Sequence, residues 1–193
     1  MAAPTQRRRN LDSSQGRSPG SPQDRARSRL SSGALRGIVH ACPATESAVI
    51  ALIQRVTEAA VRVETEVIGR IERGLLALVA VQPDDNEPRI RKMAERLLAY
   101  RVFEDEAGKM NRSLTDIQGG LLLVSQFTLA ADTRAGLRPS FSSAAAPAQA
   151  RQGFEQLLGF CRQRHPRVES GRFGAHMQVS LINDGPVTFW LQS

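Results

Sequence analysis

LLALVAVQPDDNEPRIRKMAERLL, residues 75 to 98, decides what kind of chain this is. Leu75 to Val81 is an apolar run without polar alternation, the texture of a strand covered on both faces. Asp84, Asp85 and Asn86 then offer a helix cap. Pro88 falls in the first turn, where its missing N–H costs nothing. Ile90, Met93, Ala94, Leu97 and Leu98 follow at i, i+3, i+4, i+7 and i+8, one apolar stripe on a helix. A strand leading directly into an amphipathic helix predicts a mixed α/β chain.

The flanks extend the pattern. Upstream, VIALIQRV (Val49 to Val56) reads as an apolar strand, and Ala59, Val61, Val63, Thr65 and Val67 alternate with Arg62, Glu64 and Glu66 as in a half-buried strand or hairpin. Downstream, a polar stretch from Glu104 to Gly120 leads to LLLVSQF (Leu121 to Phe127), a second buried strand, and then to a loop from Ala131 to Ser143. Pro147 opens a second helix with Phe154, Leu157, Leu158 and Cys161 on one face, ending before Pro166 because the residue preceding a proline disfavours the helical region. MQVSLIN and VTFWLQ flank Asp184-Gly185-Pro186 and read as two strands around a tight turn. The expectation is one mixed domain, residues 49–193, of about seven strands and two helices.

Charge divides unevenly. The chain of 193 residues carries a net +7, but residues 1–48 hold eight arginines against Asp12, Asp24 and Glu46, a surplus of five that leaves +2 for the other 145 residues. Those 48 residues also contain eight Ser, four Pro, four Gly and no aromatic residue, a composition that cannot bury enough apolar surface to offset chain entropy. They are expected to be a disordered basic tail. An organelle transit peptide and an RNA-binding arm are alternatives for it, and it has no apolar core of a secretory signal. No apolar run approaches the roughly 20 residues of a transmembrane helix. Cys42 and Cys161 stand too far apart in sequence to suggest a disulfide framework, so a reducing compartment is the default.

The search for chemistry excludes more than it finds. His40, His165 and His176 are scattered, and no His or Cys pair has zinc spacing. No GxSxG, Walker A or GxGxxG motif occurs in a usable context, which disfavours a triad hydrolase and a nucleotide hydrolase. Two segments remain. Ser125-Gln126-Phe127-Thr128 puts three polar side chains and an aromatic at the end of an apolar strand, where they either meet a ligand or satisfy the following loop. Asn183-Asp184-Gly185-Pro186 is either plain turn chemistry or, with a cis bond, a rigid steric element.

Taken together, ALIQRV (Ala51 to Val56), GKMNRSL (Gly108 to Leu114), VSQFTLAADT (Val124 to Thr133), RPSFS (Arg138 to Ser142) and GRFGAHMQVSLINDGPVTFWL (Gly171 to Leu191) closely resemble the bacterial D-aminoacyl-tRNA deacylases. The resemblance implies barrel-like packed sheets with two helices on one face. It implies a cytoplasmic homodimer that hydrolyses the ester of D-aminoacyl-tRNA and of mischarged glycyl-tRNA and spares L-aminoacyl-tRNA, with no cofactor and no protein-held metal. By the same resemblance Gly185 and Pro186 form a cis chiral gate reaching into the partner's site, supported by Arg55, and Ser125, Gln126, Phe127 and Thr128 form the active-site segment. Phe173, Met177 and Asn183 match substrate-binding positions. The family is understood to use the 2′-hydroxyl of the tRNA to activate water, with backbone amides stabilising the oxyanion. Thr128 as a nucleophile is a rival within the enzyme class. A non-catalytic RNA-binding module is a rival outside it, disfavoured by the +2 charge and the single Tyr and Trp of residues 49–193. Relatives begin with Met where Val49 stands here, so residues 1–48 are expected to come from a start assigned too far upstream, with a native length of 145.

Overall fold

The computed structural model describes residues 48–142 and 144–193. The readings made for residues 1–47, including the tail, its alternatives and Cys42, lie outside the described residues. Ala48 is already part of the packed domain: it is buried and its carbonyl accepts a hydrogen bond from Gln82 Nε2 at 2.8 Å.

Strand β1 (Ile50–Val63) is the hub of the sheet. Its first half pairs antiparallel with β3 (Gly74–Ala80), its second half with β2 (Glu66–Ile71), and its other edge with β6 (Gln178–Gln192). The two runs read separately before and after residue 57 are thus one 14-residue strand and the first arm of a hairpin. β4 (Gly120–Ser125) lies parallel to β3, and β5 (Val168–Ser170) parallel to β4. Parallel neighbours need a crossover, which α1 (Glu87–Ala99) and α2 (Pro147–Arg164) provide.

The local signals around α1 are borne out. Asn86 is the cap, its side chain accepting from Arg89 N–H at 3.2 Å, and all five residues of the apolar stripe are buried. α2 likewise ends at Arg164, with His165 extended before Pro166. The last expected hairpin is corrected. Residues 178–192 form one continuous strand, because β1 is long enough to pair with both halves, and the described residues therefore hold six strands. Asp184-Gly185-Pro186 does not reverse the chain and forms an outward bulge instead.

Apolar side chains collect on two faces of the sheet. Both helices cover one, where Met93, Leu97, Phe103, Phe154 and Leu157 pack on Ile53, Leu75, Leu121 and Leu123. On the other the sheet curls on itself, joining Val56, Val61, Ile71, Leu76, Leu122 and Val124 into a barrel-like interior. Both helices lie on one face, as expected. Among the described residues no helix is long and apolar enough to cross a membrane.

Candidate active site

The strand β4 runs through the buried sheet and stops at Ser125. Gln126 N–H still bonds to Val79 carbonyl at 2.7 Å, and the chain then turns into a 3₁₀ segment, Phe127–Ala130. No side chain caps that segment. Its opening N–H groups, those of Phe127 and Thr128, therefore have no partner within the turn. Gln126 Nε2 donates to Thr128 Oγ1 at 2.5 Å, tying the two polar side chains together at the surface.

Beside this strand end lies a cleft of about 440 Å³. Ser125, Gln126 and Phe127 form one wall, and Phe173, His176 and Met177 the other. Ala145, Pro147 and Ala150 close the end, where α2 enters the site. Phe173 is held from both sides, its ring 6.3 Å from that of Phe154 and beneath the Arg151 guanidinium at 5.2 Å. Phe127 is 60% exposed, with the Phe141 ring 5.2 Å away between centroids. The walls carry no carboxylate, and among the described residues no three His, Cys, Asp or Glu side chains are grouped as metal ligands.

Arg55 and the Gly-Pro segment are built elsewhere. Gln54 pairs with Thr188 and Val56 with Asn183, so Arg55 alone faces the four residues Asp184–Val187. Its side chain is 6% exposed. Nη1 donates to Val102 carbonyl at 2.7 Å and Nε to Asp184 carbonyl at 3.0 Å, with the Asp184 carboxylate at 3.1 Å and Glu104 at 3.8 Å. Asn183 closes the bulge from its other side: Oδ1 accepts Val187 N–H at 2.9 Å and Nδ2 donates to Val187 carbonyl at 3.3 Å. The Asn183 side chain, expected to meet substrate, is half-buried and bonds across the bulge as a clamp. The Gly185–Pro186 bond is cis, both residues are exposed, and Val187 is buried beneath them. Gly185 has φ 149°, and a Cβ there would come within 2.5 Å of Val187 N.

The two segments are apart within one chain. Ser125 is level with Val79 on β3 and Arg55 with Leu75, four residues lower. That is about 13 Å along the strand and, across β4–β3–β1–β6, about 14 Å sideways. Ser125, Gln126, Phe127, Phe173 and Met177 meet at one cleft with Thr128 at its edge, while Arg55, Asn183, Gly185 and Pro186 form a second feature. Sequence reasoning missed His176 as a cleft residue and Arg151 as the cation over Phe173, because neither was singled out as a site residue and only the fold brings α2 and the 171–177 loop to the end of β4.

Titration adds little chemistry at the cleft. Burial pushes the Cys161 thiol up to about 12, which makes it inert. The Arg134 guanidinium holds the Asp132 carboxyl well below the usual range, at the neck of the loop beyond the cleft. Burial raises Asp85, whose Oδ2 accepts Gln82 N–H at 2.6 Å where α1 begins.

The family model described as D-Tyr-tRNA(Tyr) deacylase matches residues 52–192. The chain is 67% identical to the D-aminoacyl-tRNA deacylase of Stenotrophomonas maltophilia (strain R551-3) over 144 residues, 74% of this chain and 99% of the relative. It is 64% identical to that of Ectopseudomonas mendocina (strain ymp) over 141 residues, 73% of this chain and 97% of the relative. Among solved structures, the c-Myc DNA Unwinding Element Binding Protein matches with a TM-score of 0.71 at 40% identity, over 75% of this chain and 98% of the other. A probable eukaryotic D-amino acid tRNA deacylase matches in fold, with a TM-score of 0.68 at 18% identity over 75% of this chain and 99% of the other.

Proposed function

The chain belongs to the D-aminoacyl-tRNA deacylase family, and from that premise we propose that it hydrolyses the ester joining a D-amino acid to tRNA, and glycyl esters as well, while sparing L-amino acids. It is an ester hydrolase of aminoacyl-tRNA. The observation that carries the reading is the cleft at the end of β4, where the Ser125–Thr128 segment meets Phe173 and Met177.

In this reading the terminal adenosine lies between Phe173 and Met177, and the ester carbonyl lies against the start of the 3₁₀ turn. The N–H groups of Phe127 and Thr128 point charge-stabilising dipoles at the developing oxyanion, which costs no reorganisation during reaction. Water attacks with help from the 2′-hydroxyl of the substrate. No side chain is needed as base, which suits a cleft without a carboxylate. Thr128 is a poor nucleophile here, since its Oγ1 accepts from the Gln126 amide and, among the described residues, no base is hydrogen-bonded to it.

Selectivity is assigned to Gly185 and Pro186. They lie too far from the cleft of their own chain, so in the proposed homodimer the gate of one copy stands over the cleft of the other and refuses an L side chain by collision. Arg55 and Asn183 act as positioning residues for that gate. The place of work is the cytoplasm, where tRNA is charged.

The deciding experiment is deacylation of D-Tyr-tRNA, L-Tyr-tRNA and Gly-tRNA by the full chain. Loss of the D-tyrosyl and glycyl esters with the L ester spared is expected. If none is cleaved while tRNA is still bound, the chain is a binding module and the enzyme reading fails. One side chain favours a second reading, His176 on the cleft wall, which could serve as general base.

A further inference from the structure

We propose that the loop from Asp132 to Ser140 is a second substrate contact, with Leu137 and Arg138 at its tip holding the single-stranded 3′ segment of the tRNA as it leaves the cleft. The inference rests on the deacylase reading, since it takes the terminal nucleoside to be inside the cleft. A strand whose last nucleoside is held there must cross the rim.

The loop is built as a stiff arm. Asp132 and Ser140 exchange both backbone hydrogen bonds, at 2.8 and 2.9 Å, and so pin its neck. Arg134 grips the Asp132 carboxylate with Nε at 2.9 Å and Nη2 at 2.7 Å, and its own N–H donates to the same carboxylate at 3.0 Å. That pairing also neutralises the acid nearest the path of a phosphate. The chain turns at Gly136, with φ 71°, and Pro139 stiffens the return. A stiff arm loses little entropy when it binds.

Among the described residues, the side chains that the tip presents have no hydrogen-bond or ion-pair partner. Leu137 is fully exposed at the tip, where its apolar surface is open to a base or ribose. Arg138 is exposed beside it, with no carboxylate of the described residues within ion-pair distance. The arm is rooted at the cleft, because the ring of Phe141, three residues beyond Arg138, packs at a tilt against Phe127 of the cleft wall. A second cation stands at the same cleft, the Arg151 guanidinium over the Phe173 ring. A cation beside an apolar side chain on a basic rim suits single-stranded nucleic acid, where the arginine takes a phosphate and the leucine packs on a base or ribose.

The test compares two substrates, D-Tyr-tRNA and the D-tyrosyl ester of adenosine, which ends before the arm. Arg138→Ala in the full chain should raise KM for the tRNA about five-fold with kcat unchanged, and leave the adenosine ester as in wild type. The salt dependence of binding to uncharged tRNA should become shallower by about 0.7 in log–log slope, the loss of one single-strand phosphate contact. Arg138→Lys should restore most of that slope, while Leu137→Ser should raise the same KM without changing it. An unchanged KM for tRNA overturns the proposal, as does an equal change on both substrates. A change in the mass of the particle in solution also overturns it, placing the tip at a contact between copies. If wild-type protein cleaves neither ester, the deacylase reading falls, and the affinity for uncharged tRNA still decides whether the arm grips RNA.

Discussion

Replacing Arg55 by methionine should cost stability and selectivity together. The guanidinium is 6% exposed and makes its shortest bond, 2.7 Å, to Val102 carbonyl in the interior. A second bond holds Asp184 carbonyl at 3.0 Å. Hydrogen bonds to a charged group contribute about 1.5–3 kcal/mol, and a carbonyl left buried without a donor costs about as much again. The ion pair with Asp184 deserves a smaller share because that carboxylate is 36% exposed, and Glu104 at 3.8 Å and 56% exposed adds next to nothing. Methionine returns part of the apolar packing. The net loss expected is about 3 kcal/mol, which for a domain of this size lowers Tm by about 6–12 °C. Urea unfolding should show a lower midpoint with the same m-value. The freed bulge should also admit L-Tyr-tRNA, so that the rate ratio of D to L ester falls toward one while the D ester is still cleaved. A loss below about 1 kcal/mol would show that water satisfies both carbonyls, and the account of Arg55 as the anchor of the bulge would be wrong.

Three further outcomes follow from the same geometry. Gly185→Ala places a Cβ 2.5 Å from Val187 N at φ 149°, and should cost about 1–3 kcal/mol in urea unfolding; an unchanged midpoint would mean the bulge relaxes freely. His176→Gln should keep the rate within about three-fold of wild type, whereas a hundred-fold loss would make His176 the general base. Asp85→Asn isolates a buried carboxyl. Burial raises the Asp85 pKa above 3.8, so over the window above that value the folded protein holds more protons than the unfolded chain and stability falls as pH rises. The stability of wild type relative to the variant should therefore improve as pH is lowered from 7 toward 4, and a difference that does not move with pH would refute it.

Local signals in the sequence were sufficient for α1, because Asn86, Pro88 and the apolar stripe act within one helix and need nothing distant. The end of α2 before Pro166 was legible for the same reason. The segment Asp184-Gly185-Pro186 was not. Turn-forming residues between two apolar runs describe a hairpin and a bulge equally well, and only the length of β1, more than 120 residues earlier in the chain, decides between them. Arg55 and Asn183 show the same limit for single side chains. The resemblance named both, but that Asn183 bonds across to Val187 depends on a bulge that the sequence did not reveal. The cleft was half legible: Ser125–Thr128 stood out as polar residues ending a buried strand, whereas Arg151 and His176 acquire a place only when α2 and the 171–177 loop close on it.

Exclusion makes a mechanical demand that binding does not. A gate that works by collision can reject an L side chain by no more than the free energy needed to push the gate aside, because beyond that point the gate yields. A thousand-fold preference corresponds to about 4 kcal/mol. The pair of anchors on the bulge, Arg55 inside it and Asn183 across it, is of that order, and neither anchor touches the cleft of its own chain. Selectivity should therefore rise and fall with the stiffness of a segment that contributes no reacting atom, while turnover of the D ester follows the end of β4. The contrast with Arg138 sharpens this separation: its loss should alter the grip on tRNA and leave both the D-to-L ratio and the unfolding midpoint where they were. If Arg55 and Arg138 variants instead failed in the same way, anchoring and tRNA contact would not be separable, and the division of labour between bulge, cleft and arm would have to be abandoned.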